Sequence, residues 1–113
     1  MHEMSLMEGM LHVIEESALA QGYQRVHGVV LEVGRLSGAE VEALRFAFEV
    51  VTEGTVAAGA RLEIEEPPGQ GWCAQCERVV EVEARFDPCP LCGTFPVSIT
   101  GGTQMLVKAL DVT

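Results

Sequence analysis

The sequence predicts an α+β fold: a small three-stranded mixed sheet with two helices on one face, and a ribbon domain inserted between its second and third strands. Three observations carry this. Two stretches repeat apolar residues at helical steps, three others are β-branched or alternating runs, and two Cys-x-x-Cys pairs sit between the second and third of those runs. A lone C-terminal strand has nothing in a small ribbon to bury against, so it is expected to return to the first sheet.

The elements follow in order. Ser5-Leu6-Met7-Glu8 has the form of a capping box and predicts a helix start. Leu6, Met10, Val13, Ile14 and Ala18 form its apolar stripe, and Gln21-Gly22 its end. Residues 26–33, Val-His-Gly-Val-Val-Leu-Glu-Val, predict a strand with Val29, Leu31 and Val33 on one face. Ser37-Gly-Ala-Glu40 is a second capping box, opening a helix whose buried stripe is Val41, Leu44, Phe48 and Val51 and whose stop is Gly54. Residues 60–65 alternate, with Leu62 and Ile64 on one face, and predict the second strand. Pro67-Pro68-Gly69 breaks the ladder and marks a domain boundary. A ribbon over residues 71–99 has Val79, Val80 and Val82 in its hairpin arm, with Trp72 and Phe86 expected in its core. Thr100-Gly101-Gly102 is its exit hinge, and Met105 to Val112 the last strand. The domains are therefore 1–66 with 103–113, discontinuous, and 70–100.

Cys73-Ala-Gln-Cys76 and Cys89-Pro-Leu-Cys92, twelve residues apart, fit one tetrahedral metal site, each pair gripping the ion from a tight turn. Pro90 stiffens the second turn and Gly93 lets the chain bend past the sulfur. No cysteine is left over, and in a reducing compartment such pairs point to metal rather than disulfide. Four thiolates suit zinc; a rubredoxin-like iron site for electron transfer is the alternative. With four protein sulfurs there is no open position, so the zinc would be structural.

Charge narrows the partners. The chain of 113 residues carries a net −10, with Lys108 its single lysine. Within the ribbon only Arg78 and Arg85 stand against Glu77, Glu81, Glu83 and Asp87. That is no footprint for phosphate, so nucleic acid is excluded as a partner. No run of about eighteen apolar residues predicts a membrane span. The start lacks a basic region followed by an apolar one, so a cytoplasmic location is expected. No catalytic motif of the hydrolase, phosphate-loop or zinc-protease type occurs.

The remaining chemistry lies at Met1-His2-Glu3. The Met1 amine and the His2 amide nitrogen close a five-membered chelate ring, and the His2 amide with its Nδ1 closes a six-membered one. Glu3 can add an amide or a carboxylate. Such nitrogen-rich sets suit nickel(II) or copper(II). His12, between Glu8 and Glu16 at four-residue steps, is expected on a solvated helix face, and His27 is expected as a packed or edge residue near a strand start. Glu40 is expected as the acid of the second capping box; a carboxylate near the N-terminal site could also bind metal.

Met1-His2-Glu3, Val33-Gly34-Arg-Leu-Ser37, Phe46-Ala-Phe48-Glu49 and the two cysteine pairs, in this order and spacing, resemble the HypA/HybF family of nickel metallochaperones for maturation of [NiFe]-hydrogenase. The resemblance spans essentially the whole chain. It implies a non-enzymatic carrier with transient nickel(II) at His2, the Met1 amine and nearby backbone nitrogens, with Glu3 in support. It implies structural zinc(II) at Cys73, Cys76, Cys89 and Cys92. Its implied partners are a HypB-type GTPase and the hydrogenase large-subunit precursor. Some members carry histidines beside the cysteine pairs; here no histidine lies in the ribbon. The sequence leaves open a monomer or a homodimer, and an interaction module with no transferable metal is the further alternative.

Overall fold

The computed structural model describes residues 3–113. It holds helices α1 (Glu3–Gln21) and α2 (Val41–Thr52). Its strands are β1 (Val26–Val33), β2 (Arg61–Glu65), β3 (Gly69–Cys73), β4 (Arg78–Val82), β5 (Ser98–Gly101) and β6 (Met105–Val112). They form two three-stranded sheets, ordered β2-β1-β6 and β4-β3-β5. The chain divides into two compact units. One comprises the described part of Met1–Leu31 with Ala39–Ile64 and Leu106–Thr113; the other comprises Glu32–Gly38 and Glu65–Met105.

In the first unit, β6 returns beside β1 as expected. Thr113 N–H donates to the Arg25 carbonyl at 3.0 Å; within the second unit, where the other ends of these strands lie, Gly34 N–H donates to the Gln104 carbonyl at 2.8 Å, so the pair is antiparallel. Both helices pack on the Val29–Leu31 face. Met7, Met10, Leu11 and Ile14 of α1 meet Phe48, Val51 and Thr52 of α2 over those two strand residues. The predicted stripe of α1 is corrected here: Met7 and Leu11 belong to it, while Val13 is 55% exposed. On α2 the buried residues are Leu44, Ala47, Phe48 and Thr52, and Gly54 follows the helix end as predicted. Thr52 keeps its hydroxyl satisfied by donating to the Phe48 carbonyl at 2.6 Å.

Neither capping box forms. Ser5 lies inside α1, which begins at Glu3. The N-cap of α2 is Glu40, whose side chain makes no cap bond. The predicted box was three residues out of register: Glu40 is the cap itself, and Ala43, at the position a reciprocal glutamate would take, has no carboxylate. Instead the Glu3 carboxylate accepts the Glu40 backbone N–H at 3.2 Å. An acid from one helix thus does for the other what a capping-box glutamate does within its own.

In the second unit β3 pairs antiparallel with both β4 and β5. The expected exit hinge is corrected, since Thr100 and Gly101 are strand residues of β5. The inner face buries Leu36, Cys73, Val80, Val82, Cys89 and Val97 in one cluster. Trp72 and Phe86 are not in it; they are 42% and 82% exposed, which overturns their expected core role. β3 alternates with Gly69, Gly71 and Cys73 inward, so Trp72 faces out.

The segment 32–38 enters this unit through a glycine crossing. A Cβ on Gly34 would strike the Gly102 carbonyl; one on Gly102 would lie 2.6 Å from the Gly69 Cα; one on Gly69 would lie 2.5 Å from Leu36 Cδ1. Only glycines let these three backbones approach so closely. Leu36 N–H donates to the Gly102 carbonyl at 2.8 Å and Arg35 N–H to the Pro67 carbonyl at 3.0 Å, while the Arg35 guanidinium pairs with Glu83 at 2.9 Å.

Candidate metal centre

The four cysteines come together from two turns. Cys73 ends β3, opposite Arg78 at the start of β4, and Cys76 lies in the tight turn between them. Glu77 closes that turn at φ 52. Cys89 and Cys92 sit on a second turn, in which Gly93 N–H donates back to the Cys89 carbonyl at 2.8 Å and Gly93 takes φ 77. Cys89 N–H donates to the Thr94 carbonyl at 2.9 Å and closes the loop.

All four Sγ atoms lie within 4.8 Å of one another. The Cys73–Cys92 separation is 3.6 Å and the Cys76–Cys89 separation 4.0 Å. A zinc tetrahedron with bonds of about 2.3 Å needs sulfurs roughly 3.8 Å apart, and the two distances bracket that value. The cluster fits zinc. Among the described residues it is the one convergent group of three or more His, Cys, Asp or Glu side chains.

Local donors prepare the sulfurs for charge. The Cys76 backbone N–H points at Cys73 Sγ and that of Leu91 at Cys89 Sγ, each at 3.4 Å. The Thr94 hydroxyl, 3.1 Å from Cys92 Sγ, donates to its thiolate. That bond, followed by one from the Thr94 backbone, holds the Cys92 thiol down to about 6. Cys76 moves the other way: its bond to Cys92, followed by burial, pushes it up to about 12. One negative charge is thus favoured at Cys92 and a second is resisted while no cation is there to share them. Cys73 and Cys89 are buried and Cys92 is exposed, so the centre is closed on its inner side. Thr94 was not singled out in the sequence; lying two residues past Cys92 is its only signal.

The other predicted residues are scattered. Met1 and His2 lie outside the described residues. Glu3 opens α1, with its carboxylate on the Glu40 N–H. His12 is exposed and pairs with Glu16 at 3.1 Å, a solvated face as expected. His27 is also exposed, with its Nε2 2.9 Å from the Thr113 hydroxyl.

Over residues 1–112 the chain matches the family described as hydrogenase/urease nickel incorporation, metallochaperone, hypA. It is 50% identical over 112 residues to hydrogenase maturation factor HypA of Azotobacter chroococcum mcd 1, covering 99% of each chain. It is 53% identical over 110 residues to the factor of that name from Azoarcus sp. (strain BH72), covering 97% of this chain and 96% of the other. The solution structure of the Ni metallochaperone HypA from Helicobacter pylori superposes with a TM-score of 0.72 at 27% identity, covering 99% of this chain and 97% of that one.

Proposed function

The chain belongs to the HypA family, and from that premise we propose that it carries nickel(II) at its N-terminus and releases it to the maturing hydrogenase. The coarser role, a nickel metallochaperone of hydrogenase maturation rather than an enzyme, follows from the family match and the named relatives. Nickel is the cargo. Its proposed donors are the Met1 amine, the His2 amide and imidazole, and a nitrogen of Glu3.

The observation that carries this reading is the bond between Glu3 and Glu40. It fixes the first residue of α1 against the start of α2, so a chelate formed by the two preceding residues starts from a held point. With its carboxylate engaged, Glu3 serves the site chiefly by its backbone nitrogen and by holding the helix start. A terminal chelate of this kind can pass nickel on by ligand exchange.

The other half of the proposal is structural. Nickel is assigned to the expected domain of residues 1–66 with 103–113, less the segment 32–38, which belongs to the compact unit that also holds 65–105; zinc is assigned to the expected domain 70–100, on Cys73, Cys76, Cys89 and Cys92. The partners are the HypB-type GTPase and the hydrogenase large-subunit precursor, in the cytoplasm. No helix among the described residues is long and apolar enough to cross a membrane.

The test is isothermal titration of untagged protein with nickel, alongside metal analysis. His2→Ala should lose nickel binding and keep its zinc. Full nickel affinity in that variant would refute the assignment. Native mass spectrometry of the same sample identifies the thiolate-bound metal and separates zinc from a coloured iron site.

A further inference from the structure

We propose that the open face of the ribbon sheet, centred on Trp72 and Val79, is the docking site for a partner protein that presents a basic patch. The inference rests on the carrier reading, which requires a receiving protein, and it names the surface that protein meets.

Trp72 and Val79 are directly opposite across the β3–β4 ladder and share its outer face with the pair Gln70 and Glu81. Trp72 is 42% and Val79 49% exposed, although Gly71, Cys73, Val80 and Val82 on the inner face of the same strands are buried. Directly opposed side chains on one sheet face touch or nearly touch, so the two form one apolar spot rather than two scattered ones. Trp72 is the chain's single tryptophan. Tryptophan is strongly enriched at the centres of protein interfaces, where a large rigid ring is desolvated at little entropic cost. Phosphate recognition is excluded here by charge, which leaves no nucleic-acid role for the ring.

Charge also selects the occupant. Glu81 is exposed on the same outer face, opposite Gln70, and Glu77 is exposed in the adjoining turn, while Arg78 alternates to the other side of β4 opposite Cys73. A second copy of this chain would bring another net −10 to the same place, and an anionic membrane surface would be repelled in the same way. A protein with lysines or arginines around an apolar hollow meets both features: it buries the ring and neutralises the carboxylates.

The lone tryptophan supplies the test. Zinc-loaded full chain labelled with fluorotryptophan gives one fluorine resonance, followed by NMR as purified GTPase or purified large-subunit precursor is added. The expected result is a shift with at least one of the two proteins. Trp72→Ala and Glu81→Lys should each weaken that affinity roughly tenfold or more by calorimetry, with zinc content and nickel binding unchanged. Added salt should weaken the wild-type complex. The proposal is overturned if neither protein moves the resonance, if Trp72→Ala binds as tightly as wild type, or if the resonance responds to dilution of the chain alone, which would make the face a self-association surface. Nickel binding is read separately through His2, so a failed docking result and a failed carrier site are distinguishable.

Discussion

The carboxylate of Glu3 accepts the backbone N–H of Glu40 at 3.2 Å, across 37 positions of sequence. Two helices that start at the same end of the unit are joined there by one acid. Because α2 has no side-chain cap bond of its own, Glu3→Ala should lower stability by about 1 kcal/mol, the usual cost of a lost cap. Glu3→Gln, which keeps an acceptor oxygen, should cost less. Urea denaturation followed by far-UV circular dichroism measures both. Equal stability of Glu3→Ala and wild type would remove the bond's structural role.

Arg35 and Leu36 are neighbours with opposite expectations. The Arg35–Glu83 pair at 2.9 Å is half exposed, and surface pairs contribute at most about 1 kcal/mol. Leu36 is buried in the ribbon cluster beside Cys73 and Cys89, and emptying such a site costs about 2–5 kcal/mol. Leu36→Ala should therefore make the protein lose zinc to a chelator much faster, while Arg35→Ala should behave nearly as wild type. Similar release rates for the two variants would contradict this packing.

Gly34→Ala tests the glycine crossing. The added methyl would strike the Gly102 carbonyl, a backbone atom held by the Leu36 N–H. Overpacking against backbone costs about 1–3 kcal/mol or more. The variant should unfold at lower denaturant, and amide protection of Leu36 should fall with it. A neutral result would mean that the two segments separate freely.

Thr94 sets the acid limit of the metal centre. In metal-free protein the Cys92 thiol, lowered from 9.0 to about 6, is a thiolate above that pH and gains a proton below it. A depressed folded pKa contributes stability that is full above the unfolded value and is lost as pH falls through the folded one. Thr94→Val removes the hydroxyl donor, so thiolate absorbance should appear at higher pH. Zinc release on acidification should also begin at higher pH, because protons compete with the metal for the sulfur. An unchanged titration curve would show that the backbone alone sets the value.

Much of the architecture is legible in the sequence. β1 and β6 run over the predicted residues; β1 does so because a run rich in β-branched residues that ends at a glycine has few other solutions. The cysteine spacing likewise announced a convergent site. The misses have physical causes. Ser-x-x-Glu occurs near both helix starts, yet α1 already runs through Ser5, and at α2 the local signal lost to an acid from the other helix. β5 has only Ile99 as a large apolar residue, too weak a signal to separate it from a hinge. Its place beside the cysteines suggests a core role for Trp72, whereas the alternation of β3 is dictated by Gly69, Gly71 and Cys73, which face inward.

The crossing of Gly34, Gly102 and Gly69 bears on how such chains can be recombined. Cutting the ribbon out at its two linkers would leave Leu36 behind in the parent chain, although Leu36 packs in the ribbon's own cluster. A transplantable cassette must carry residues 32–38 as well as 65–105, and a swap that ignores this would bring all four metal ligands and still hold its ion poorly.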